Sequence, residues 1–256
     1  MSKLSLNQLR IYTGAAVRDM NYNILYNWFL RFKSKPIEAS KKRAIVFSPH
    51  QDDETIGCGG MIALKRSQGI PVKVVFLTDG RYGRPSWIEP ENIIQYRQEE
   101  ASNALNVLGI EPSQTQFLNE ADGSLAQLST EKRNLLIAKL VEILQSFEAQ
   151  EVYVPHHHDG HPDHEATYSL VRSAIEASKM QIELLQYPIW MLWRNPLSSH
   201  KYLQKTSSAY RLFIGNFKDK KQQAITIYKS QTPNLPSSLK QAILSQNEMF
   251  LKIKLL

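Results

Sequence analysis

Cysteine is almost missing from this chain: Cys58 is the only one in 256 residues. That excludes an internal disulfide framework and fits a reducing compartment. Gly57, Gly59 and Gly60 surround it, so it reads as a small core residue rather than a nucleophile. Long apolar runs are missing too, and none approaches the ~18 residues a membrane span requires. The opening Met1-Ser2-Lys3-Leu4 leads into polar, mixed sequence without the pattern of a secretory signal, so the expected location is the cytoplasm. Zinc-finger spacing, an RNA-binding aromatic signature, a phosphate-cradling glycine loop and an arginine-rich arm are all lacking. The net charge of +7 is spread along the chain and makes no case for nucleic acid. An anionic sugar, phosphate or lipid headgroup accounts for it at least as well.

What is present is an ordinary globular composition, 42% hydrophobic and 21% charged, in a length that suits one sizeable domain with an appendage. Residues 1–40 read as an N-terminal helical extension and residues 41–256 as the main domain. Within the extension, Ile24 to Lys33 is aromatic and apolar, with Arg31, Lys33 and Lys35 at its end. Its plainer reading is a helix packed on the body or on a second copy of the chain. The alternative is peripheral membrane contact through residues 20–35.

From Arg43 the pattern alternates. Strands are expected at Ala44–Phe47, Pro71–Leu77, Thr115–Leu118, Glu151–Val154, Ile182–Gln186 and Tyr210–Ile214. Helices are expected at Glu54–Gln68, Asn92–Leu108, Thr130–Phe147, Asp163–Ala177, Lys218–Tyr228 and Ser238–Phe250. The Pro- and Trp-rich stretch from Tyr187 to Pro196 reads as a loop or lid. This order predicts an α/β fold, a Rossmann-like three-layer sandwich with a mostly parallel sheet flanked by helices.

Two short clusters carry the chemistry. His50-Gln51-Asp52-Asp53-Glu54 follows the first strand, and His161-Pro162-Asp163-His164 follows Glu151–Val154 and the His-rich loop His156-His157-His158. Ligands bind at the carboxyl ends of strands in open α/β sheets, so two such clusters argue for one shared site. A hydrolytic zinc site needs about three His, Asp, Glu or Cys ligands, a carboxylate base and an oxyanion donor. His50, Asp53 and His164 can bind the metal, Asp52 can be the base and His161 the acid. Asp163 would hold the His161 imidazole in one tautomer and favour its charged form. Taken alone, Asp-Asp-Glu at a helix start can simply cap the helix.

The segment from Pro49 to Gly60 closely resembles the first signature of the PIG-L/LmbE-like family of zinc-dependent N-acetylglucosamine deacetylases. Pro155 through His164 resembles its second signature, and Leu77–Gly80 and Tyr96–Ala101 look like further landmarks. The resemblance runs roughly from Arg43 to Ser230. It implies Zn2+ (or Fe2+) on His50, Asp53 and His164, Asp52 as general base, and His161 as acid or oxyanion donor paired to Asp163. It also implies substrate contacts by Arg97 and, more loosely, Asp122. Gln51 stands where the family has proline, at a position that is not a ligand but loses a fixed φ. The expected reaction is removal of an N-acetyl group from an amino-sugar conjugate. The alternatives are an amidase on a non-sugar amide and a deacetylase of a lipid-linked sugar at the membrane surface. Association into a homo-oligomer is the remaining partner expectation.

Overall fold

Ala44–Ser48 and Glu151–Pro155, the strands that precede the two clusters, are parallel hydrogen-bonded neighbours, with Ala44 opposite Glu151 and Val46 opposite Tyr153. The computed structural model describes residues 6–194 and 207–253. Helix α1 (Leu6–Trp28) passes through a π-helical turn, Phe29–Lys33, into strand β1 (Ser34–Ile37). Then β2 (Ala44–Ser48), α2 (Asp53–Ser67), β3 (Val72–Thr78), α3 (Ile93–Val107) and β4 (Thr115–Glu120) alternate. They are followed by α4 (Thr130–Ser146), β5 (Glu151–Pro155), α5 (Pro162–Ser178) and β6 (Glu183–Tyr187). The short α6 (Met191–Arg194), β7 (Ser207–Phe213), α7 (Lys218–Ile227), α8 (Ser237–Ile243) and β8 (Asn247–Ile253) complete the described chain.

Among the described residues the strands form one sheet in the order β1-β7-β8-β6-β5-β2-β3-β4. All pairs are parallel except those made by β8, which runs antiparallel to β6 and β7. From β2 the chain winds outward to β3 and β4, and from β5 it winds the other way to β6. The reversal falls between β2 and β5, which is where a crevice opens at the carboxyl ends of strands.

Residues of β2 are buried on both faces, the mark of a central parallel strand. Ala44 and Val46 pack with residues from α1, α2, α3, α7 and α8. Ile45 and Phe47 pack with α4 and α5 on the opposite face. The result is the expected three-layer α/β sandwich.

Two local expectations are corrected. Residues 238–250 are not one helix: α8 ends at Ile243, and Asn247–Ile253 is an inner strand. Glu248, Met249, Phe250 and Leu251 are buried in succession, so this stretch lacks the alternation that identifies a half-exposed strand. In the N-terminal region, Ser34–Ile37 joins the sheet beside β7, with Pro36 tolerated at the sheet edge.

The N-terminal helix lies on the body. Tyr22, Tyr26, Phe29 and Leu30 are buried in the same core as α2. Asp19 accepts hydrogen bonds from Trp193 Nε1 at 2.9 Å and from the hydroxyls of Ser237 and Ser238, both at 2.5 Å. No helix among the described residues is long and apolar enough to cross a membrane.

Candidate active site

The first cluster turns sharply out of β2 into α2. The Asp52 carbonyl accepts the Thr55 and Ile56 N–H groups, starting the helix, while its own φ is 144°, a backbone state rare for a side chain-bearing residue. This turn separates neighbouring side chains, so Asp53 faces the second cluster and Asp52 faces Arg97. The second cluster starts α5. His161 occupies the N-cap, its Nδ1 accepting the Asp163 N–H at 3.3 Å, and Pro162 takes the first helical position.

Asp53 lies between two imidazoles, with Oδ2 3.1 Å from His50 Nδ1 and 3.2 Å from His164 Nε2. His50 Nε2 lies 3.1 Å from Asp122 Oδ1 and 3.3 Å from Asp163 Oδ2. One donor atom each from His50, Asp53 and His164 lies within 4.8 Å of the others, and the set His50, His161 and Asp163 meets the same distance. The His161 ring centroid stands 4.9 Å from that of His50 and 4.8 Å from that of His164.

These donors fit a divalent ion. His164 Nε2 is buried and has no aligned hydrogen-bond partner, even though Asp53 Oδ2 is 3.2 Å away. Two metal-type donors this close with no aligned hydrogen bond between them suit a cation. Two imidazoles and a carboxylate match the ligand types of a hydrolytic zinc centre.

The charges are strongly coupled. Burial opposes the ionised form of Asp53, yet the imidazoles of His164 and His50 hold its carboxyl far below the usual range. Burial and the nearby Asp53 charge push Asp52 up to about 8, against Arg97 and His50. Burial likewise opposes charge on His164, but Asp53 and Asp159 push it up to about 9. His161 is pushed down to about 4 by burial and by the neighbouring His164 and His50.

Asp163, Arg97 and Asp122 each make contacts within the chain. Asp163 does not pair with His161. Its completely buried carboxylate accepts the Gly123 N–H at 2.7 Å and the Leu125 N–H at 3.1 Å, and turns its remaining contact to His50. Position two of α5 points that side chain at the 123–125 loop, so His161 is held by the helix cap instead and is not driven to its charged form. Arg97 is only 3% exposed, and its guanidinium serves the carbonyls of Gly80, Tyr82 and Gln51. Asp122 reaches His50 and the Tyr82 N–H.

Asp159 is a participant that sequence reasoning passed over, bonded to His164 Nδ1 at 2.7 Å. It lies five residues before His164, across a loop-to-helix junction, where no periodicity marks a pair. Trp190 and Trp193 are partly buried against the core, their rings 6.0 Å apart and edge-on, so the described part of the expected lid is anchored. Asn195 and Pro196, the end of that stretch, lie outside the described residues.

The PIG-L family, described as GlcNAc-PI de-N-acetylase, matches residues 45–175, and the chain belongs to that family. The Escherichia coli K12 protein named "Uncharacterized deacetylase YaiS" is 32% identical over 161 residues, covering 60% of this chain and 78% of that one. The Bacillus subtilis "Probable N-acetyl-alpha-D-glucosaminyl L-malate deacetylase 2" is 30% identical, covering 55% of this chain and 64% of the relative. Among solved structures, the conserved protein TT1542 from Thermus thermophilus superposes with a TM-score of 0.64 at 25% identity, covering 82% and 94% of the two chains.

Proposed function

We propose that this protein is a metal-dependent hydrolase that removes the N-acetyl group from an N-acetylglucosamine-type conjugate, releasing acetate and a free amine. The observation that carries the reading is the convergence of His50, Asp53 and His164 beside Asp52 at the switch between β2 and β5. His50, Asp53 and His164 would hold the ion, zinc or ferrous iron. When bound, such an ion supplies polarisation of the amide carbonyl and acidification of the attacking water.

The chain's own residues do the rest. Asp52 takes a proton from the water and returns it to the departing nitrogen, so that no net proton is left on the enzyme. His161 accepts the Asp163 N–H through Nδ1, which leaves Nε2–H as a donor to the developing oxyanion. Asp163 and Asp122 flank His50 and hold its ring in place. Arg97 orients Asp52 and the loop that carries it. The family description and the B. subtilis relative's name support an N-acetylglucosamine substrate.

The test is acetate release by zinc-loaded protein from free N-acetylglucosamine and from its malate and inositol conjugates. Release from at least one, abolished by chelation, is expected. Protein that binds zinc but releases acetate from none would overturn the sugar reading in favour of a non-sugar amide.

A lipid-linked sugar is a second reading. Val17, Met20, Ile24 and Phe32 are each more than half exposed, and Arg31, Lys33 and Lys35 beside them are exposed as well. Cosedimentation with anionic phosphatidylglycerol vesicles, lost in Ile24→Glu, is its expected mark.

A further inference from the structure

Asp159 is completely buried in the loop between β5 and α5, and its carboxylate gathers four donors. His164 Nδ1 lies 2.7 Å from Oδ2. The Ile189 and Met191 N–H groups donate to Oδ1 at 2.9 and 3.1 Å, and the Trp190 N–H reaches both oxygens at 3.0 Å. The residue is itself fixed, its N–H donating to the His156 carbonyl at 3.0 Å.

We infer that Asp159 is a positioning residue: it holds His164 with the proton on Nδ1 and Nε2 turned toward His50 and Asp53, and it ties that imidazole to the turn carrying Trp190. This rests on the metal-binding reading of His164. An imidazole binds a metal through one nitrogen only while the other keeps its proton, and a neighbouring carboxylate selects which is which. Asp159 is an acceptor toward all four donors, so the proton stays on Nδ1. The same two oxygens seat three consecutive amides of residues 189–191, and Trp193 in turn reaches Asp19 on α1. One carboxylate thus fixes both a proposed ligand and the turn at residues 189–191.

Asp159→Asn separates the two jobs. An asparagine has one acceptor oxygen, which the three amides of residues 189–191 claim together. Its NH2 then faces His164 Nδ1, which must accept, and the proton moves to Nε2, where it blocks ligation.

The experiment strips wild type and Asp159→Asn of metal and titrates both with zinc against a chromogenic chelator. Zinc affinity should fall by roughly 10- to 100-fold in the variant, with the stripped variant keeping the far-UV circular dichroism of wild type. Equal affinities would overturn the inference. Long-range proton–nitrogen NMR of zinc-loaded wild type reads the His164 tautomer directly, whether or not the variant folds. Nδ1–H with Nε2 bound is expected, and zinc on Nδ1 would overturn it. Wild type that binds no zinc sinks the metal reading and this inference together, whereas normal wild-type binding with an unaffected variant sinks only the role of Asp159.

Discussion

The guanidinium of Arg97 lies 3.6 Å from Oδ1 of Asp52, while its other donors hold the carbonyls of Gln51, Gly80 and Tyr82. Arg97 therefore clasps the 49–52 loop to the 79–82 loop and offsets the Asp53 charge felt by Asp52. Lysine keeps the charge but offers a point donor in place of a planar fork. In Arg97→Lys one or both of the buried Gly80 and Gln51 carbonyls lose their partner, at about 1–3 kcal/mol each. A drop in melting temperature of roughly 5–15 °C follows for a chain of this size. Because the group faces Asp52, the proposed base, and not open solvent, kcat should fall while KM holds. A KM rise at unchanged kcat would instead favour the substrate-contact role expected for Arg97.

Asp52, the proposed base, has a φ of 144°. Backbone strain of this kind costs about 1–3 kcal/mol and is common where function dictates the conformation. Alanine at position 52 keeps the strain and glycine removes it, so the two variants isolate the effect. Asp52→Gly should melt a few degrees above Asp52→Ala. Both should retain zinc yet lose acetate release by at least ~100-fold, the usual contribution of a general base. Normal turnover in either variant would refute the assignment of Asp52.

The contrast between Asp52 and Arg97 shows what is legible in sequence. Asp52, Asp53, His50 and His164 are dense metal-type residues placed just after strands, and the switch between β2 and β5 brings them together as the βα order requires. Arg97, Asp159 and Asp163 act through hydrogen bonds to main-chain groups of other loops, and no spacing rule encodes such partners. Asp163 and His161 are two apart in sequence and both approach His50, but only Asp163 also reaches the 123–125 loop, because α5 begins between them. β8 escaped for a related reason: a strand with residues 248–251 buried in succession has no polar alternation to distinguish it from a short helix.

In protein stripped of metal by chelation, His164 is held charged up to about pH 9, and His50 is raised too, its carboxylate neighbours Asp122, Asp163 and Asp53 outweighing burial. An unfolded histidine titrates near ~6.5. A raised folded pKa contributes stability that is full below ~6.5 and is lost as pH rises through about 9. The stripped protein should therefore lose melting temperature between these limits. Zinc must displace the same protons, so the zinc-induced rise in melting temperature should grow over that window. Calorimetry in buffers of different ionisation heat should also show protons released on zinc binding at pH 7, fewer as pH passes about 9. A pH-independent zinc effect would show that these imidazoles are already neutral.

Helix α2, which carries Asp53, is braced by a buried ion pair at its middle. Glu248 Oε1 lies 2.7 Å from Lys221 Nζ, and its carboxylate also accepts the Gly60 and Met61 N–H groups at 2.7 and 2.8 Å. The helix can approach this closely because Gly60 has no side chain: a Cβ there would lie 2.5 Å from Ile214 Cδ1. Lys221→Met leaves the Glu248 charge buried with two neutral donors, a loss of about 3–5 kcal/mol. Replacing both partners, as Lys221→Met with Glu248→Gln, removes the stranded charge while an amide oxygen still meets the helix N–H groups. Urea unfolding should then show the double variant recovering most of the loss suffered by the single one. The deficit of the single variant should also shrink as pH falls, because a stranded carboxylate is relieved by protonation. If both variants lose the same stability at every pH, the pair contributes by packing alone and the brace on α2 is steric rather than electrostatic.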